Sequence, residues 1–200
     1  MAALTPEDVA NMALALLTEA PIDSLEDDDK NARLLRLHYD TTREAELEDR
    51  VWRFAILSAE VTGVEIAYGR HAFTLPADCL RPLPPTFYDL PDGAGDYFDA
   101  EGDALILPWG GSRTIRYVGN MVDPGDWPAQ FVEVVAAALA IKLAHPVTGK
   151  ASMIEAAQAA YNRALTRARR NNSLLLQGRP PTGWWSQVRG DYRLPGDWRR

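Results

Sequence analysis

The sequence predicts a mainly α chain of the α+β kind: a helical bundle with a small antiparallel β insertion and an extended C-terminal arm. Three observations predict it. Apolar residues recur at helical spacing over residues 6–19, 30–57, 128–145 and 151–170. Between the second and third of these, over about 64–118, that period gives way to short extended runs punctuated by Pro, Gly and Asp. From residue 173 onward breakers are dense enough to forbid a regular helix or a central strand, yet tryptophan is abundant. Residues 1–172 therefore read as one domain and 173–200 as a docking arm. A chain of 200 residues buries roughly 70% of its unfolded surface, enough for one real core.

The first helix is announced by Thr5 as N-cap, Pro6 in the first turn and Asp8 three residues after the cap. Val9, Met12, Ala13, Leu16 and Leu17 give it one apolar face, and Pro21 ends it. The acidic run Glu26–Asp29 reads as a cap for the second helix; a metal site is the sharper reading, but such runs more often cap or solvate. That second helix contains no Gly or Pro and carries Leu34, Leu35, Tyr39, Leu47, Val51, Trp52 and Phe54.

In the middle region Val64–Tyr68 and Ala72–Leu75 read as strands. A turn at Pro76–Asp78 follows, then a crossing through Pro82, Pro84 and Pro85. Tyr97–Ala100 and Asp103–Leu107 flank Glu101-Gly102 as a hairpin, with Arg113–Val118 as its neighbour. So few strands suit an insertion packed on helices better than a free domain. Asp126, with Pro128 near the first turn, is expected to cap the third helix. This helix is apolar nearly all round, which places it inside a bundle or at a subunit interface. Phe131, Val135 and Leu139, together with Trp52, are the candidate contacts between subunits. The fourth helix gathers arginines in its last turns, where they complement the helix dipole.

The net charge of −7 conceals an asymmetry. From Arg163 onward nine arginines face only Asp191 and Asp197, so this part carries +7 and the rest −14. An acidic body repels nucleic acid, while the tail attracts acidic surfaces. Arg179, Trp184, Trp185, Arg189, Tyr192, Arg193, Trp198, Arg199 and Arg200 are the candidate binding residues of the arm. Tryptophan and arginine are the types most enriched at interface hot spots.

No catalytic or metal-binding signature stands out. His38, His71 and His145 lack ligand spacing, Cys79 has no base or second thiol near it in sequence, and Gly110-Gly111-Ser112 lacks the context of a phosphate loop. No cofactor, metal or catalytic residue is expected, and the chain is read as a structural protein and not an enzyme. The N-terminal MAALTPEDVA lacks the basic start of a signal peptide, and no run of about 18 uninterrupted apolar residues is present, so a soluble, unexported chain with no membrane partner is expected.

Several strings resemble the tailed-bacteriophage adaptors called tail tubular protein A. They are Ala10–Leu14, Asn31–Ala55 (NARLLRLHYDTTREAELEDRVWRFA), Phe73–Leu83 (FTLPADCLRPL), Arg116–Val118 with Asp123-Pro124, and Phe131–Thr148 (FVEVVAAALAIKLAHPVT). Their order and spacing cover most of residues 9–170. The resemblance implies a head-to-tail connector that assembles as a ring of twelve under the portal protein, above a tail or nozzle protein, in the neck of the virion. Made in the bacterial cytoplasm, it would leave a channel through which DNA passes without specific binding. It also implies that the arm, with the residues named above, reaches the portal. The chain departs from the family in having Glu19-Ala20-Pro21 where a glycine follows the first helix. The alternative, from the tail alone, is a nucleic-acid-binding accessory protein whose arginines neutralise phosphate while its aromatics stack on bases.

Overall fold

A computed structural model describes residues 3–66, 68–83 and 99–176, and for 174–176 the backbone only. The first helix, α1 (Pro6–Leu16), opens with the expected reciprocal cap: Asp8 N–H donates to Thr5 Oγ1 at 3.2 Å, and Thr5 N–H donates to Asp8 Oδ2 at 2.9 Å. It closes three residues before the predicted end. Thr18 turns left-handed at φ 60° and does the work a glycine would do. The Asn11 amide then pins the following segment, donating to Ile22 O at 3.0 Å and accepting from Ile22 N–H at 2.8 Å.

Helix α2 (Lys30–Asp49) starts on Asp29, which accepts from the Asn31 and Ala32 amides. It ends eight residues before the sequence pattern suggested. Trp52 folds back and donates its indole N–H to the Glu46 carbonyl at 2.7 Å, satisfying one of the carbonyls the helix end leaves open. After a single 3-10 turn over Arg53–Ala55 the chain is already extended.

The expected small insertion is instead a six-stranded antiparallel sheet, curled into a nearly closed barrel, and the reading as a helical bundle is wrong. About 52% of the described residues are helical and 22% lie in strands, too much sheet for an appendage. The strands are β1 (Ile56–Glu65), β2 (His71–Thr74), β3 (Cys79–Pro82), β4 (Asp99–Glu101), β5 (Ala104–Leu107) and β6 (Gly111–Gly119), in the order β3-β6-β1-β2-β5-β4. The ten-residue β1 organises them: Ile56–Gly63 pairs with β6, and its far end, Val64 and Glu65, pairs with β2.

The barrel has its own core of Phe73, Leu105, Leu107 and Ile115, with Val61, Leu75 and Trp109 against it. Gly63 is required there, because a Cβ at that position would lie 2.5 Å from Phe73 Cζ. The β4–β5 hairpin forms as expected on Gly102 (φ 62°), while Tyr97 and Phe98 of that prediction, like Pro84 and Pro85, lie outside the described residues. Edge strand β3, not foreseen, tolerates Pro82 at its end.

The chain returns to the helices through a 3-10 turn at Pro124–Asp126, capped by Asp123 and not by Asp126. Helix α3 (Ala129–Leu143) begins on Pro128 without a side-chain cap. Trp127, just before it, anchors the junction by donating to the Met121 carbonyl at 3.0 Å. With the wide turn after it, the run Ala129–Thr148 is long and apolar enough to span a bilayer by length and composition. Here it is the centre of the helical layer, packed against α1, α2 and α4.

Helix α4 (Ala151–Leu176) runs six residues past its predicted end and takes residues 173–176 out of the expected arm. Asn171-Asn172 does not break it because both side chains are used in tertiary bonds. Asn172 accepts from Arg53 N–H at 3.0 Å and donates to Val51 O at 2.9 Å, while Asn171 reaches Gln130. Val118 of β6 and Ala55 belong to the helical core, so barrel and helices share a seam.

Candidate assembly surfaces

The four predicted subunit contacts are turned inward. Phe131, Val135, Leu139 and Trp52 are at most 3% exposed. Phe131 is the hub of an aromatic cluster, with ring centroids 5.1 Å from Trp52, 4.9 Å from Phe54 and 5.3 Å from Trp127. Burial of this kind stabilises the chain itself. The sequence signal, a helix apolar on all sides, fits an enclosed helix as well as an interface, and here the enclosure comes from α1, α2 and α4. Arg179, Trp184, Trp185, Arg189, Tyr192, Arg193, Trp198, Arg199 and Arg200 lie outside the described residues.

The last turns of α4 rest on the α2–β1 junction, where Asn172 and Ser173 share a shallow basin with Arg50, Trp52, Arg81 and Arg169. Three guanidinium groups converge there, and Asp49 is the carboxylate among them, paired with Arg50 at 3.0 Å.

Two further surfaces, absent from the sequence reading, are apolar and open. The first is a groove of about 330 Å³ between α1, α3 and α4. Its floor is small, built of Ala136, Ala137, Ala160 and Ala164; its wall is Met12 and Leu16, both exposed; its rim is the Arg167–Glu133 ion pair at 2.8 Å. The alanines at helical spacing in α3 and α4 were the available signal, since small residues leave a hollow where larger ones would fill it. The second surface is the tip joining β1 to β2, where Val64 and Ile66 are more than half exposed and Tyr68 is fully so. Tyr68 has φ 53°, in the left-handed region that side chains rarely adopt. Apolar residues at every second position beside Gly69 were visible in the sequence, but read as a strand and not as a projecting end.

Several titratable groups are engaged in structure. Arg43, buried in α2, pairs with Asp40 at 3.1 Å and Glu44 at 2.9 Å, and Glu44 also accepts from Asn120 at 3.1 Å, which ties α2 to the segment after β6. The Tyr161 hydroxyl of α4 donates to Glu46 Oε2 at 3.1 Å. Burial, with the Asp49 charge nearby, sets the Glu46 carboxyl above the usual carboxylate range against the lowering pull of the Tyr161 hydrogen bond; burial and the Glu46 charge push Tyr161 up to about 12. Burial, with Asp78 beside it, also raises the Cys79 thiol, the opposite of nucleophile activation. Among the described residues no three His, Cys, Asp or Glu side chains gather into a metal-binding group.

No protein-family model matches the chain, and neither does any curated protein sequence.

Proposed function

We propose that this protein is the head-to-tail connector of a tailed bacteriophage: a structural adaptor, not an enzyme, whose copies form a ring under the portal and join capsid to tail while DNA passes through. The observation that carries this reading is the ordered set of adaptor-like strings. Ala10–Leu14, Asn31–Ala55 and Phe131–Thr148 supply most of one continuous core, where Ala13, Leu35 and Leu139 are all fully buried. Sequence and packing are thus drawn from the same residues. A ring subunit also needs exposed apolar surface on a chain that folds by itself, and the groove and tip provide it. The departure of α4 from a basin of arginines supports an arm that runs on toward an acidic partner surface, the portal in this reading.

The test is the mass of the full chain alone and mixed with portal rings. A ring of added copies that forms on the portal supports the adaptor. Deletion of residues 177–200 should leave a folded protein that no longer joins portals; full-affinity binding by the truncated chain would remove the anchoring role. The alternative, a nucleic-acid-binding accessory protein, is favoured by one observation, the exposed arginines 163, 167, 169 and 170 along α4. It predicts binding to duplex DNA that weakens steeply with salt.

A further inference from the structure

We propose that copies of this chain meet head to tail, the β1–β2 tip of one seated in the α1–α3–α4 groove of the next. The inference rests on the ring reading above and assigns the two surfaces that would make the ring.

The first argument is complementarity of form. The tip is convex and carries Val64, Ile66 and Tyr68; the groove is concave, floored by alanines, and about 330 Å³ in volume. Each is the kind of exposed apolar patch that marks a protein contact. Complementarity of charge is the second. Among the described residues at the tip, Glu65 is exposed, and Asp99 and Glu101 share Arg70, which lies 3.8 Å from Asp99 and 3.1 Å from Glu101. Beside the groove, Arg167 pairs with Glu133 and Arg170 lies next to them, with Arg163 on the same face of α4 at a spacing of four residues from Arg167. An acidic apolar knob therefore matches a basic apolar hollow.

The third argument is reach. β1 leaves the helical layer at Ile56 and carries the tip ten residues onward, on the order of 30 Å of extended chain. The tip therefore projects away from the helices that build the groove and finds such a groove on another copy. Two unlike patches on one chain make a heterologous contact, which leaves one free knob and one free hollow after every addition and ends only when a ring closes. An isologous pair would stop at two copies. The left-handed Tyr68 fits this role, since strained backbone at an exposed turn is retained where it presents a side chain.

Disulfide trapping tests the contact. In a full-length Cys79→Ser background, Tyr68→Cys and Leu16→Cys are made in separate chains, mixed and oxidised. A defined contact raises the local concentration of one thiol at the other, so the mixed disulfide should exceed that of Tyr68→Cys with Leu37→Cys by about tenfold or more. Leu37 is exposed on α2 outside the groove and serves as the collision control. Adding Ile66→Asp to the Tyr68→Cys chain should abolish the excess, and since Ile66 is exposed the chain still folds.

Trapping no better than the control overturns the proposal, as does trapping untouched by Ile66→Asp. So does a Leu16→Cys thiol that stays unreactive until residues 177–200 are deleted, because the groove would then belong to the chain's own tail. A portal-bound ring without the trap removes this contact and leaves the adaptor reading standing; the trap without any portal-bound ring does the reverse.

Discussion

Replacing Phe73 by alanine probes whether the barrel is a core in its own right. Its ring is fully buried at the centre of Leu105, Leu107 and Ile115, and it also fills the space over Gly63. Truncating a buried phenylalanine costs about 3–5 kcal/mol when the site cannot collapse. Collapse is restricted here, because the residues around it are held in register from two sides: Phe73 pairs with Leu105 in β5, and Gly63 with Gly111 in β6. Against a total stability of about 5–15 kcal/mol for an ordinary domain, that is a large loss. It corresponds to a fall in Tm of roughly 6–20 °C for a chain of this size. Thermal unfolding followed by far-ultraviolet circular dichroism measures it, and Gly63→Ala completes the cycle. In the native background the new methyl meets the Phe73 ring and should cost about 1–3 kcal/mol. With Phe73→Ala present the obstruction is gone, so the two effects should fail to add by more than about 1 kcal/mol. A loss under about 1 kcal/mol for Phe73→Ala, or strict additivity of the pair, would refute the closed core described here.

Two other expectations follow from the helical layer. Glu46 has its carboxyl pKa raised, so the folded state holds that proton more tightly than the unfolded chain does; its contribution is full below the ordinary carboxylate pKa and is lost as pH rises through the folded value. Glu46→Gln, which keeps an oxygen for the Tyr161 hydroxyl, should therefore raise Tm relative to the native chain more at pH 7 than at pH 4. An equal difference at both values would show that the carboxyl is not perturbed. Asn172→Ala removes both bonds that clasp α4 to the α2–β1 junction and should lower stability by about 1–3 kcal/mol in urea unfolding, with no change if the clasp is ornamental.

The helix starts were legible because capping is local: Thr5 with Asp8, and Asp29 ahead of Lys30, act within one turn of the chain. Where the elements stop was not, because distant groups decide it. Trp52 ends α2 by reaching back to Glu46, and Asn172 extends α4 by bonding to Val51 and Arg53. The barrel was underestimated for a related reason. Residues 50–57 contain no glycine or proline, so their apolar positions continue a helical pattern. What makes Ile56–Gly63 a strand is eight residues of pairing with β6, more than 45 positions later in the chain. On the assembly surfaces, composition identified strongly apolar residues but not which way they face. Phe131, Val135 and Leu139 are enclosed, and the exposed apolar groups include the less conspicuous Met12, Leu16, Val64 and Ile66.

The enclosure of α3 has a bearing on timing. A subunit whose greasiest helix waited for a neighbour would have to be made and assembled at once, or would aggregate. Here the chain hides that helix within itself, so a ring of the kind proposed would join its copies through the tip and the groove. On that proposal, a pool of single chains would accumulate in solution before they assemble. Such a pool would commit to a ring only where a template holds many copies side by side.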